Sequence, residues 1–274
     1  MRRPIMRGLV CAAVVALWAV AEARGQTTFH VAAGFDLLET TTGSTFTFPV
    51  AGPTPLVGVP LGTFDFDNLL GRGIGVQNTG SADTIIERTT AAIPTPPPAA
   101  GSSATIPITM LALQMETAVP INIGAGLHNY FITLQSTHGG TPTVGTMTIT
   151  WDATGLGGTF TSFFDVFFDI RQDSLAGPIV SSSDLTLTNT GAGWTDLPPP
   201  GAEQIRNVNR FLSGTNGDPT QDFWPIPPFT ESHPGVGVHQ VRDAVVPEPA
   251  SVALLGLGSC VALVARGHLR RRAA

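Results

Sequence analysis

Apolar and polar residues alternate with a period of two through the middle of the chain. Met147, Ile149 and Trp151 face one way, and Thr146, Thr148 and Thr150 face the other. That is the pattern of a half-buried antiparallel strand. The run 159–171 is longer: Phe160, Phe164, Val166, Phe168 and Ile170 share one face, and Asp165, Asp169 and Arg171 share the other, with Phe163 and Phe167 between them. Phe46, Phe48 and Val50 alternate with Thr45 and Thr47, and Leu185 and Leu187 with Thr186 and Thr188. Further strands are expected at 82–90, 106–116 and 127–135. A short helix is expected at 202–212, where Ile205, Val208 and Leu212 fall on one helical face and Gly214 follows. At least seven strands separated by turn residues predict an all-β fold, an antiparallel β-sandwich with a jelly roll as its variant.

Both ends break this pattern. Arg2, Arg3 and Arg7 precede an uncharged run at 9–21, and Ala21-Glu22-Ala23 sets small residues where a signal peptidase reads them. Residues 1–25 therefore read as a cleaved secretory signal peptide. Val10 stands where a lipobox needs a small residue, so Cys11 does not mark a lipoprotein. The other end carries Pro247-Glu248-Pro249, an uncharged apolar run at 251–265, and then Arg266, Arg270, Arg271 and Arg272. An apolar run closed by arginines is a membrane stop with its positive end in the cytoplasm. A helix over 251–265 would span roughly 22 Å at ~1.5 Å per residue, short of the ~30 Å hydrocarbon core. A short transmembrane sorting helix with transient inner-membrane insertion fits that length better than a permanent anchor. The expected organisation is a signal peptide at 1–25, an extracellular body at 27–246 with a Pro-rich loop at 93–103, and a sorting segment at 247–272.

Pro247-Glu248-Pro249, the brief apolar run and the terminal Arg266 and Arg270–Arg272 cluster resemble, in order and spacing, the PEP-CTERM sorting signal of Gram-negative-type bacteria. The resemblance implies recognition by an exosortase, a membrane transpeptidase that cuts near Pro-Glu-Pro. It also implies an association with the cell surface, exopolysaccharide or a biofilm matrix. It reaches about 26 residues and says nothing of the body.

Composition narrows the partners. The body at 27–246 holds six Arg, no Lys and eighteen Asp plus Glu, so 6 − 18 gives −12 against −6 for the whole chain. Nucleic-acid binding needs Lys and Arg on phosphates and is not expected. Exopolysaccharide remains compatible. Both cysteines, Cys11 and Cys260, lie in the targeting ends, so the body folds without disulfides. Its 20 Pro and 26 Gly punctuate a loop-rich β domain.

No catalytic motif is present, and a non-catalytic body is expected. Gly71-Arg72-Gly73-Ile74-Gly75 reads as a turn, since no Lys of a phosphate loop follows. Asp165 and Asp169 lie four residues apart on one strand, roughly 13 Å, beyond the ~5–9.5 Å of glycosidase carboxyl pairs. They read as a solvated strand face. Asp65-Phe66-Asp67-Asn68 and Asn216-Gly217-Asp218 with Asp222 offer a few oxygen ligands for Ca²⁺, but turn formation explains both, and no metal or other cofactor is expected. His233 and His239 read as surface histidines. Trp194 and Trp224, flanked by Gly, Pro and Asp, are expected on loops, where an exposed indole would stack against a sugar ring. A carbohydrate-binding module and a polysaccharide-active hydrolase are the alternatives to a structural role.

Overall fold

The computed structural model describes residues 30–67, 75–94, 100–124, 126–196, 223–226 and 228–244. Ala21, Ala23, the helix expected at 202–212, Asn216–Asp222 and the whole sorting segment lie outside the described residues.

The strands follow one another around a ring. β1 (Gly34–Thr40) runs on in line into β2 (Thr45–Phe48). β3 (Gly52–Gly58) runs back, is interrupted by the hairpin of β4 (Gly62–Asp65) and β5 (Val76–Gly80), and resumes as β6 (Thr84–Arg88). β7 (Ser103–Thr117) returns. After the small hairpin of β8 (Ile121–Asn122) and β9 (Leu127–His128), the chain climbs through β10 (Tyr130–Leu134), a 3-10 turn (Gln135–His138) and β11 (Thr143–Trp151). β12 (Gly157–Gln172) and β13 (Ile179–Thr195) follow. β14 (Trp224–Pro225) pairs with the end of β13, and the hairpin of β15 (Phe229–His233) and β16 (Gly237–Asp243) comes last.

Every pairing is antiparallel, and the ring closes. β7 carries β6 and then β3 along one edge, and β11 and then β10 along the other. β12 pairs with both β10 and β11, then with β13, which meets β15 at Thr188↔Ser232. β16 pairs with β15 on one side and with β1 and β2 on the other, at Thr40↔Val241 and Thr45↔Val238. Counting β1/β2, β3/β6 and β10/β11 as one stave each gives eight staves, up and down in sequence order.

This closed sheet replaces the expected sandwich of two sheets. Alternation cannot separate the two, because each architecture buries one face of every strand. The deciding features are β7, β12 and β13, of 15, 16 and 17 residues, each long enough to carry two short strands end to end on one edge.

The barrel interior is filled by side chains. Met147, Ile149 and Trp151 point inward with Phe160, Phe164, Val166, Phe168 and Ile170, as the alternation predicts. Leu187, Phe46 and Phe48 do the same, but Val50 is 89% exposed with φ 75°, in the turn before β3. Phe35, Leu37 and Ile85 face outward and are covered by the β4–β5 hairpin, whose Phe66 ring centroid lies 4.9 Å from that of Phe35. Other outward positions, Thr146, Thr159, Thr161 and Asp165, are exposed and polar. Val144 and Phe163 are exposed on that same face, so the outer surface there mixes polar and apolar side chains. Among the described residues no helix is long and apolar enough to cross a membrane.

Candidate functional site

The polar groups inside the barrel gather near β1, β6, β15 and β16. Strand parity puts Thr40 on the inward side with Leu38, and His239 with Val241. Thr40 and His239 then meet because β1 pairs with β16. Glu231 lies directly opposite His239 in the β15–β16 hairpin. Asp83 enters from the turn before β6. The Thr40 hydroxyl donates to Asp83 Oδ1 at 2.9 Å and its N–H to Oδ2 at 2.7 Å, while the Thr84 hydroxyl donates to Oδ1 at 2.7 Å. His239 Nε2 stands 3.1 Å from Thr40 Oγ1, and Nδ1 stands 3.2 Å from Glu231 Oε2. Asp83, Glu231 and His239 are each nearly inaccessible. Burial pushes the Asp83 carboxyl above its ordinary value; the Thr40 N–H, the His239 charge and the two hydroxyls pull it back only in part.

The order serine or threonine, histidine, carboxylate is that of a nucleophilic triad, so the proton positions matter. Nε2 donates to Thr40 where the Thr40 hydroxyl donates to Asp83, and accepts from it where that proton turns to the imidazole; the tautomer decides between the two. Gly58 packs against the same carboxylate: a Cβ there would lie 1.7 Å from Asp83 Oδ2. The network ties the first strand of the barrel to the last two.

A second buried set lies higher in the barrel. Arg88 pairs with Asp36, donates to the Ala32 carbonyl at 3.2 Å and lies 4.9 Å from the Phe223 ring centroid. Ser162 lies near it, with Asp36 and Glu231, at a small space of about 10 Å³. The larger cavity, about 40 Å³, sits lower, between Phe46, Leu113, Met115, Ile132, Val166 and Phe168. Small-molecule pockets typically measure ~300–1,000 Å³, so neither space takes a sugar.

Several sequence-based expectations change here. Trp194 belongs to β13 and Trp224 to β14, and they are 2% and 0% exposed. Trp194 packs in the barrel core, and Trp224, paired with Thr195, is buried on the opposite face of the sheet; neither lies on a loop surface. The Trp194 ring stacks on Phe223 at 5.5 Å and meets Trp151 edge-on at 5.9 Å, so neither indole offers a face to a sugar. Asp165 is exposed as expected, but Asp169 and Arg171 on the same face are buried. Ser182 donates to Asp169 at 2.6 Å, and Arg171 lies 3.7 Å from Asp169 and donates to Thr133 and to the Gly177 carbonyl. The turn after β12 folds over that end of the strand. His239 is buried in the network, and His233 reaches the Thr186 carbonyl at 2.7 Å, so the two are not a surface pair. Asp65 caps a turn through the Asp67 N–H at 3.0 Å, as read. Among the described residues no group of three or more His, Cys, Asp or Glu is arranged to hold a metal ion. Sequence reasoning missed Thr40, Asp83 and Glu231. One signal pointed to Glu231: the His233-Pro234-Gly235 turn sets it across from His239.

The class defined by this arrangement is an eight-staved, up-and-down β-barrel, closed by its last strand and filled by its own side chains. Past Ala244 the chain runs into the sorting segment, and residues 245–272 match the family described as the PEP-CTERM protein-sorting motif. The chain carries an exosortase sorting signal, which implies export, exosortase processing and surface localisation. The match concerns that end and not the barrel. No curated protein and no solved structure matches the chain.

Proposed function

We propose that this is an exported, exosortase-processed component of the cell surface or extracellular matrix, whose barrel has a structural, non-catalytic role. The observation that carries the reading is the burial of Trp151, Trp194 and Trp224, where a glycan binder would present them. The inward charges also serve the fold: Asp36 is engaged by Arg88, and Asp83 and Glu231 by Thr40 and His239. Thr146, Thr159, Thr161 and Asp165 give one stretch of the outer surface a polar face, compatible with a hydrated polysaccharide. In this role the barrel is a spacer that holds its place in the matrix. To test it, the exported protein is incubated with polysaccharide from its own matrix fraction and assayed for new reducing ends and for ester cleavage. No turnover is expected. Robust turnover lost on replacing a single Asp or Glu overturns the reading in favour of a hydrolase.

A further inference from the structure

The two ends of the barrel leave from one rim. β1 runs down from Gly34, and β16 runs up to Asp243 beside it, at Leu38↔Asp243. The Ala244 N–H still donates to the Leu37 carbonyl at 3.0 Å, and Ala244 is buried. The folded body therefore holds the chain to residue 244, three positions before Pro247 and seven before the apolar run that starts at Ser251. Seven residues reach at most about 25 Å when fully extended. The barrel itself is longer: a 16-residue strand such as β12 covers roughly 53 Å, or about 40 Å along the axis at the usual tilt. A tether shorter than the barrel cannot let the body turn end over end.

We propose that, before processing, the rim carrying Gly34, Ala244 and the turn at Asp152–Gly155 faces the lipid surface, and that the opposite rim is presented outward. That outer rim carries the β8–β9 hairpin and the turn at Asp173–Gly177. The inference rests on the sorting-segment reading, because the apolar run supplies the tether. The orientation comes from the tether alone. The body is strongly acidic, so anionic headgroups repel it and do not hold it down. Exosortase then meets Pro247-Glu248-Pro249 at the same rim, and the new C-terminus leaves the outer rim free for matrix contacts.

The body has no cysteine, which makes the test direct. Full chain with Cys11→Ser and Cys260→Ser is given a single cysteine, Ala153→Cys at the near rim or Ala176→Cys at the far rim; both alanines are exposed turn residues. Each is labelled with a donor fluorophore and bound to phosphatidylcholine vesicles carrying a headgroup acceptor. Energy transfer several-fold stronger from position 153 than from 176 is expected. A twelve-residue Gly/Ser insert between Val246 and Pro247 should shrink that difference. Equal or reversed transfer in chain that floats with the vesicles overturns the orientation alone. Chain that does not float overturns the membrane reading of 251–265 and the orientation with it.

Discussion

Gly58 and Asp83 show what a single residue decides. Asp83 is fixed by three hydrogen bonds, so it cannot swing away from a methyl group placed 1.7 Å from its Oδ2. Gly58→Ala should destabilise by about 1–3 kcal/mol, the usual scale of overpacking, read from the denaturation midpoint; no change would mean the Asp83 network is not formed in solution. Asp83 also sets a pH dependence. Its folded pKa is raised from 3.8, so the folded state holds the proton more tightly than the unfolded chain does. That contribution is fully present below 3.8 and is lost as pH rises through the raised value. The stability of wild type minus that of Asp83→Asn should therefore fall as pH rises across that window. A difference that is flat with pH would show Asp83 is not desolvated. Trp194→Ala should cost about 3–5 kcal/mol, the usual loss for a buried tryptophan; an exposed indole would cost under about 0.5 kcal/mol.

β12 shows what one element decides. Its inward face is legible from alternation alone, and Phe164→Ala should cost about 3–5 kcal/mol. Its outward face is not uniform. Asp165 is exposed with one hydrogen bond from Thr186 at 3.2 Å, so Asp165→Asn should stay within about 0.5 kcal/mol. Asp169 is buried against Arg171 and Ser182, and Asp169→Ala should cost about 3–5 kcal/mol, because it strands a buried guanidinium. Chemical denaturation of the three variants checks the ordering. Equal losses at 165 and 169 would mean the turn at Asp173–Gly177 does not cover that end of the strand. Nothing local in the sequence distinguishes the two aspartates, since both sit at outward positions of one alternating run.

At the scale of the whole molecule, the closed sheet is all-β over the described residues and its body is free of cysteine. The circular dichroism of the exported protein should show a β spectrum unchanged by reductant. Helix near the globular average of about a third would contradict it. Mass spectrometry of the same material should find no residues before about 24 or after about 250, given the small-residue site at Ala21 and Ala23 and the Pro-Glu-Pro motif. An intact Arg270–Ala274 peptide in exported protein would make the tail an uncut anchor.

The sequence by itself determined what depends on neighbours along the chain. Period-two alternation set the strands and their inward faces, and the order Pro-Glu-Pro, apolar run, arginines set the sorting signal. Only the tertiary structure decided what depends on which strands lie side by side. Closure into a ring follows from Thr40↔Val241 and from the two-strand edges of β7, partnerships that alternation does not encode. The Asp83, Thr40, His239 and Glu231 network joins residues up to 199 positions apart, so no local pattern announces it. Trp194 and Trp224 carry turn-forming neighbours, yet strand pairing buries both, and the ring draws Trp194 inward. Burying an indole against Phe223 and Trp151 removes more apolar surface from water than any local turn preference opposes.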